Sequence, residues 1–222
     1  PSQDGVNRFT YGAFSADDKA VLDQYLRDLA AVQISSHNRA EQMAYWINLY
    51  NALTVQVILD HYPVESIRDI DISPGLFSDG PWGKDLIEVE GEDLSLDDIE
   101  HRILRPIWRD PRIHYGVNCA SIGCPNLMTE AYQGATIDRQ LDEAARAFVN
   151  NPRAIQVEGN DLVVSSIYDW FMEDFGDTDE EVIDHLRAYA TPGLEMTLEM
   201  FSSIDDDRYD WDLNDAAQSQ VR

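Results

Sequence analysis

The segment "HYGVNCASIGCP", His114 to Pro125, holds both cysteines of the chain, Cys119 and Cys124. Histidines stand upstream at His114 and His101. Three chemistries fit these residues. As a zinc site, the two cysteines with His101 and His114 make a Cys2His2 set, and C-x4-C lies near the usual ligand spacing. Against it, there is no close histidine pair, and the histidines precede the cysteines. As a disulfide, Cys119 and Cys124 close a short ring in which Gly123 and Pro125 suit a tight turn. Closing so short a loop stabilises little, so such a bridge shapes the loop more than it holds the fold. As a nucleophile, Cys119 must react as thiolate, so its pKa must be lowered. His101 or His114 is then the base, helped by N–H groups of the "CASIG" turn if that turn opens a helix. A third polar group must hold the imidazole in one tautomer.

Candidates for that group lie in "RAEQMAYWINLYNALTVQVILDHYP", where Asn48 and Asn51 sit three apart on an otherwise apolar helix. A buried asparagine left unpaired costs about 1–3 kcal/mol. Each therefore either bridges neighbouring loops or orients the base and binds an oxyanion. His101, in "SLDDIEHRIL", shares a helical face with Asp97 and Asp98 and not with Glu100. "RIHYGVN" reads as a short strand, which puts His114 on the side of Gly116 and Asn118 and starts Cys119 on the other. That direction favours His101 as the partner of Cys119. His37, His61 and His185 read as surface or structural residues. Tyr45, Trp46, Trp82 and Trp170 either line a cleft or pack the core.

The elements that must position these groups are legible from spacing. "SADDKAVLDQYLRDLAAV" opens with a capping box, Ser15 and Asp18, and continues with apolar residues at helical spacing. The asparagine-bearing helix follows and stops before Pro63; its apolar residues run nearly all round it, which marks it as central. Residues 63–85 read as a long irregular connection. "LIEVEGEDL" predicts a hairpin turning at Gly91, and "AIQVEGNDLVVSS" another turning at Gly159 and Asn160. Further helices are predicted in "SLDDIEHRILRPIW", capped by Ser95 and Asp98, in "TIDRQLDEAARAFVN", in "SIYDWFMEDFG" with Gly176 as its stop, and in "TDEEVIDHLRAYA" with a Thr178–Glu181 box. The tail "IDDDRYDWDLNDAAQSQVR" reads as polar and largely irregular. Its "DWDLND" matches a calcium loop for six residues but lacks the required glycine and final glutamate, so an EF-hand is rejected. The whole predicts a single α+β domain with helices packed on a small antiparallel sheet.

Sixteen basic against 42 acidic residues give a net charge of −26 over 222 residues, and lysines occur only at Lys19 and Lys84. Self-repulsion at this charge is relieved by salt, which fits a salt-adapted protein. Nucleic acid is excluded as a partner because phosphate binding needs a basic face. No apolar stretch reaches the length of a membrane span. The chain starts "PSQDGV", without an initiator methionine, which predicts processing and a periplasmic or extracellular location. No cofactor is expected, and the oligomeric state is left open.

Five blocks carry a resemblance: "AYWINLYNAL" (44–53), "LSLDDIEHRILRP" (94–106), "DPRIHYGVNCASIGCPNL" (110–127), "LDEAARAFV" (141–149) and "YDWDLND" (209–215). Together they resemble the bacterial branch of domain-of-unknown-function family 547, over roughly residues 35 to 215. The resemblance implies a domain over 35–215, preceded by an N-terminal helical extension (1–34) and followed by a polar tail (216–222), in an exported protein. It also implies a cysteine at position 119 that outlasts Cys124 and His114 in the plant branch, which argues against a disulfide or zinc site as the common purpose. A Cys–His arrangement with a helix-borne asparagine is similar to papain-like and transglutaminase-like hydrolases, although papain's order places the cysteine first. The expectation is a cysteine-dependent hydrolase or acyl transferase acting on peptide or small thiol-peptide amide bonds. Cys119 is its nucleophile, His101 its base with His114 as alternative, and Asn48 or Asn51 with the Cys119 N–H supports the base or the oxyanion. The rival expectation is a non-catalytic binding domain whose 119–124 disulfide shapes a recognition loop.

Overall fold

A computed structural model describes residues 2–75 and 80–217. Helix α1 (Ala16–Ala30) begins at the expected capping box: Ser15 accepts from Asp18 N, and the Asp18 carboxylate accepts from Ser15 N. Helix α2 (Arg39–His61) is central, with buried residues around most of its circumference. Its N-terminal half packs with α1, the hairpin β1 (Ile87–Val89)–β2 (Glu92–Leu94) and the segment after it. Its C-terminal half packs with the loop residues Ile67 and Ile70 and with Leu213 from the tail. A second cluster gathers α5 (Ile137–Val149), the hairpin β3 (Ile155–Glu158)–β4 (Asp161–Ser165) and the helices α6 (Ile167–Trp170), α7 (Met172–Phe175), α8 (Asp179–Tyr189) and α9 (Pro192–Leu198). The molecule is an α+β fold, as its pattern of elements implies. The residues before 35 pack into the same body, through Leu26 and Ile34 in the first cluster.

Four local readings are corrected. "RIHYGVN" is not a strand: Ile113–Gly116 forms a helical turn, α4. The segment starts with a turn at Asp110-Pro111: the Asp110 carboxylate accepts from Arg112 N at 3.0 Å, and Ile113 N donates to Asp110 O at 3.1 Å. Arg112 then ties the turn to α5 through Asp138 and Asp142. Second, the predicted helix after Ser95 is π-helical over Asp98–Leu104 before one α-helical turn, α3 (Arg105–Trp108). Bonding i to i+5 widens the turn, and such segments cluster at functional sites; here Glu100 and His101 both face one cavity. Third, "SIYDWFMEDFG" is two single turns, α6 and α7, broken at Phe171.

The fourth correction concerns the tail. Asp206–Arg208 forms β5, parallel to β4, so the second sheet is mixed, in the order β3–β4–β5. Beyond it the chain crosses the cysteine loop: Gly123 N and Ile122 N donate to Asp210 O and Asp212 O at 2.8 Å, and Asn214 N donates to Ala120 O at 2.8 Å. It ends against the N-terminal segment, where Phe9 N donates to Asn214 O and Ala216 N to Phe9 O. Acidic residues are poor strand formers, but here the backbone does the pairing; Asp206 and Asp210 are exposed, while Asp215 is buried and accepts from Tyr62 Oη. Residues 218–222 of the expected tail lie outside the described residues.

His185 on α8 sits in an aromatic nest of Tyr115, Phe175 and Tyr189, and its Nε2 is 2.9 Å from Tyr115 Oη. Burial lowers its pKa from 6.5 to about 4, against a weaker opposing pull from Asp110. Below pH 6.5 the unfolded chain binds a proton that the folded chain refuses, so stability falls as pH drops from 6.5 through about 4. The loss from this group is on the order of 2–3 kcal/mol. Urea unfolding at pH 7 and pH 4 checks it: His185→Gln should flatten the pH dependence, and identical slopes for variant and parent would refute the assignment.

Candidate functional site

Cys119, Cys124, His101 and His114 line one cavity of about 210 Å³, with Glu100, Asp97 and the rings of Trp82, Trp170, Phe171, Tyr209 and Trp211. The backbone that presents Cys119 is unusual. Ala120 has φ +60°, a left-handed conformation that costs an L residue roughly 1–2 kcal/mol. Asn118 holds it there: its Oδ1 accepts from Ala120 N at 2.9 Å and its Nδ2 donates to Pro125 O at 2.6 Å. Gly123 is required on the far side, because a Cβ there would meet Asp210 N at 2.9 Å and Asp210 O at 3.0 Å. Arg153 supports the loop from below, donating to Ile122 O at 2.9 Å and Asn126 Oδ1 at 2.8 Å.

The two asparagines of α2 are taken up by backbone. Asn51 Nδ2 donates to Gly116 O at 2.9 Å and its Oδ1 accepts from Asn118 N at 2.8 Å, which clamps the chain just ahead of Cys119. Asn48 pairs both ways with Tyr132. Neither lines the cavity. Of the aromatic candidates, Trp82 and Trp170 line it, whereas Tyr45 and Trp46 pack in the core.

Cys119 is half-buried, and its Sγ has three side-chain neighbours: Cys124 Sγ at 3.0 Å, Tyr209 Oη at 3.0 Å and Ser121 Oγ at 3.2 Å. Tyr209 and Ser121 are themselves 2.7 Å apart. Hydrogen bonding from the Cys124 thiol lowers the Cys119 pKa most; Ser121 and Tyr209 add to it, burial opposes it, and the thiol comes down to about 7. Burial and the neighbouring sulfur push Cys124 the other way, so it stays a thiol and serves as donor. Burial likewise keeps the Tyr209 hydroxyl protonated. The Cys119 N–H, expected to face an oxyanion, donates instead to Cys124 Sγ at 2.9 Å.

Neither imidazole is among the hydrogen-bond partners of the Cys119 sulfur. His114 is buried on α4, stacked on Phe171 with ring centroids 4.3 Å apart, and Arg105 covers the same phenyl ring. Its Nε2 is 2.7 Å from Asp174 Oδ2, while Glu100 Oε1 stands 3.7 Å from Nδ1. Burial disfavours the Asp174 carboxylate, but hydrogen bonds from His114 and Arg105 outweigh it and hold its pKa at about 2. The ionised Asp174 carboxylate therefore accepts from Nε2–H of His114, and Nδ1 faces Glu100. His101 is more exposed; Arg105 stands 3.2 Å from its Nδ1 and Asp97 3.7 Å from its Nε2. Both of its nitrogens thus face charged neighbours. Among the described residues, no group of three or more His, Cys, Asp or Glu side chains is arranged to hold a metal ion.

Sequence reasoning missed Ser121, Tyr209, Trp211, Asp174 and Arg105. A signal existed for two of them: Tyr209 and Trp211 alternate with acids in "YDWD", the spacing of an extended segment with one buried face.

If the hydroxyl donors set the thiolate, removing them must raise the Cys119 pKa. A hydrogen bond to a charged group is worth about 1.5–3 kcal/mol, or one to two pKa units. Tyr209→Phe and Ser121→Ala should each move the midpoint of iodoacetamide alkylation at Cys119 upward by about one unit. An unmoved midpoint in both variants would assign the activation elsewhere.

A family model described as "Protein of unknown function, DUF547" matches residues 34–149. No curated protein and no solved structure matches the chain. The matched span contains His101, His114, Cys119, Cys124 and both asparagines, and ends before Asp174 and Tyr209. It covers just over half of the sequence, and on that extent the chain belongs to the DUF547 family.

Proposed function

We propose that the protein is a cysteine-dependent hydrolase or acyl transferase that acts on amide bonds of a peptide or small thiol-peptide, with Cys119 as nucleophile. The observation that carries this reading is a thiol with three hydrogen-bonding neighbours in a cavity shared with a carboxylate-anchored imidazole. His114 fits the proton-transfer role better than His101, because it is buried and Asp174 anchors its Nε2 at 2.7 Å, whereas His101 is more exposed and has Arg105 at its Nδ1. The likeness to papain-like enzymes is one of chemistry, a Cys–His pair with an orienting polar group, and not of chain order.

In this reading the Cys119 sulfur attacks the amide carbon, a C–S bond forms, and the carbonyl electron pair moves to oxygen. The sulfur loses its negative charge as the oxygen gains one. The hydroxyls of Ser121 and Tyr209, which had faced the thiolate, are then free to donate to the oxyanion. Such donors act more strongly in the transition state than in the ground state. His114 takes up a proton from solvent at Nδ1 and gives it to the departing amine as the C–N bond breaks. Water, or an acceptor amine or thiol, then takes the acyl group from the thioester.

The test combines an activated ester with a peptide library. Reduced protein incubated with p-nitrophenyl acetate should carry an acetyl group on Cys119 by mass spectrometry, and Cys119→Ser should abolish burst and turnover. His114→Ala should lower kcat by about 10²- to 10⁴-fold, the usual loss for a general acid–base, and leave the Cys119 alkylation midpoint in place. His101→Ala should cost far less. The reading fails if reduced, alkylatable Cys119 accepts no acyl group, or if His114→Ala turns over at the parent rate.

A further inference from the structure

The mechanism above uses Cys119 and leaves Cys124 as a hydrogen-bond donor, yet the placement of Cys124 suits a second chemistry. We propose that Cys119 and Cys124 form a redox-active dithiol that exchanges with small-molecule disulfides: Cys119 is attacker, Cys124 resolver, and closure of the pair removes the nucleophile. The control of acyl transfer rests on the function proposed above; the exchange itself does not.

The geometry is asymmetric in the way exchange requires. Both cysteines line the cavity, but Cys119 is the more exposed of the two, half-buried where Cys124 is 5% exposed. An incoming disulfide therefore meets Cys119. The two sulfurs are 3.0 Å apart, and a disulfide needs about 2.05 Å, so bridging asks for about 1 Å of approach. The Cys119 N–H already points at Cys124 Sγ from 2.9 Å, where it can stabilise the charge that Cys124 must acquire to resolve the adduct. The opposite displacement of the two pKa values, Cys119 down and Cys124 up, matches those roles.

The loop can bear the change because other groups hold it. Ala120, Ile122 and Gly123 are bonded to the tail backbone, Asn118 to Pro125 O, and Ile122 O to Arg153. None of these bonds involves a sulfur.

The steps balance. The Cys119 thiolate attacks one sulfur of R–S–S–R, the Cys119–S–S–R bond forms, and R–S⁻ departs. Cys124 gives its proton to a departing thiolate or to solvent and attacks the Cys119 sulfur. The Cys119–Cys124 bond forms and a second R–S⁻ leaves. Two electrons pass from the protein dithiol to the small disulfide, which is reduced to two thiols. Excess thiol reductant reverses the sequence and restores Cys119.

The experiment equilibrates full-length reduced protein with glutathione and oxidised glutathione at varied ratios, quenches with acid, and counts thiols and adducts by mass spectrometry. The parent should lose both thiols together without gaining glutathione mass. Cys124→Ser should trap glutathione on Cys119. Tryptophan fluorescence should fall on oxidation, since Trp82, Trp170 and Trp211 line the same cavity, and recover with dithiothreitol. Ester turnover by the parent should fall in proportion to the bridged fraction. The proposal is overturned if the parent keeps a stable glutathione adduct on Cys119 with Cys124 free, or keeps both thiols in oxidised glutathione alone. Each of these readouts except turnover is independent of acyl transfer. A pair that bridges in a protein without ester or peptide turnover upholds the exchange and refutes only the function proposed above. If Cys124→Ser does not fold, Cys124→Ala takes its place, and the parent's thiol count decides alone.

Discussion

The backbone bonds between the cysteine loop and the tail are the constraint on which the site depends. Residues 120–123 find only part of their hydrogen bonding locally. Ile122 and Gly123 donate to Asp212 O and Asp210 O, and Ala120 accepts from Asn214 N. A buried loop without such partners would pay for each unpaired group. The same strap that satisfies the loop brings Tyr209 and Trp211 over the cavity, so loop conformation and thiol environment have one cause. Gly123 makes the contact possible, since any side chain there would strike the strap's backbone.

A second assembly fixes the histidine. Phe171, at the break between α6 and α7, is sandwiched between Arg105 and His114, and Arg105 and His114 converge on Asp174. The sandwich sets the ring plane of His114 and the carboxylate sets its tautomer. The π-helical turn before Arg105 brings Glu100 and His101 to the same cavity. Imidazole and thiol are thus positioned by separate supports, and the thiol draws its activation from hydroxyl and thiol donors.

Separation has a chemical consequence. In a tight thiolate–imidazolium pair each group owes its charge state to the other. Here the Cys119 thiol is lowered by Cys124, Ser121 and Tyr209, which belong to the loop and its strap. Under the proposed function, proton delivery and nucleophile activation are therefore separable by substitution, and oxidation of the proposed dithiol acts on one of them alone.

What the sequence determined is what spacing determines. The capping residue Ser15, the apolar circumference of α2 and the turns at Gly91 and Gly159 are local patterns, and the α+β organisation follows from their order. The cysteines and both upstream histidines were also readable as chemistry-bearing groups. Local pattern misled where a turn outweighed propensity: the turn at Asp110-Pro111 leads "IHYG" into a helical turn, and that removes the strand argument that had favoured His101. Distance in sequence hid the rest. Tyr209 stands 90 residues from Cys119 and Asp174 stands 60 from His114, and neither pairing leaves a periodic trace in the chain. Tertiary structure alone decided which donors face the thiol, which carboxylate holds the imidazole and that the two asparagines serve backbone. Those contacts come from the folding back of an acidic tail whose backbone pairs with the cysteine loop while Tyr209 and Trp211 turn toward the cavity.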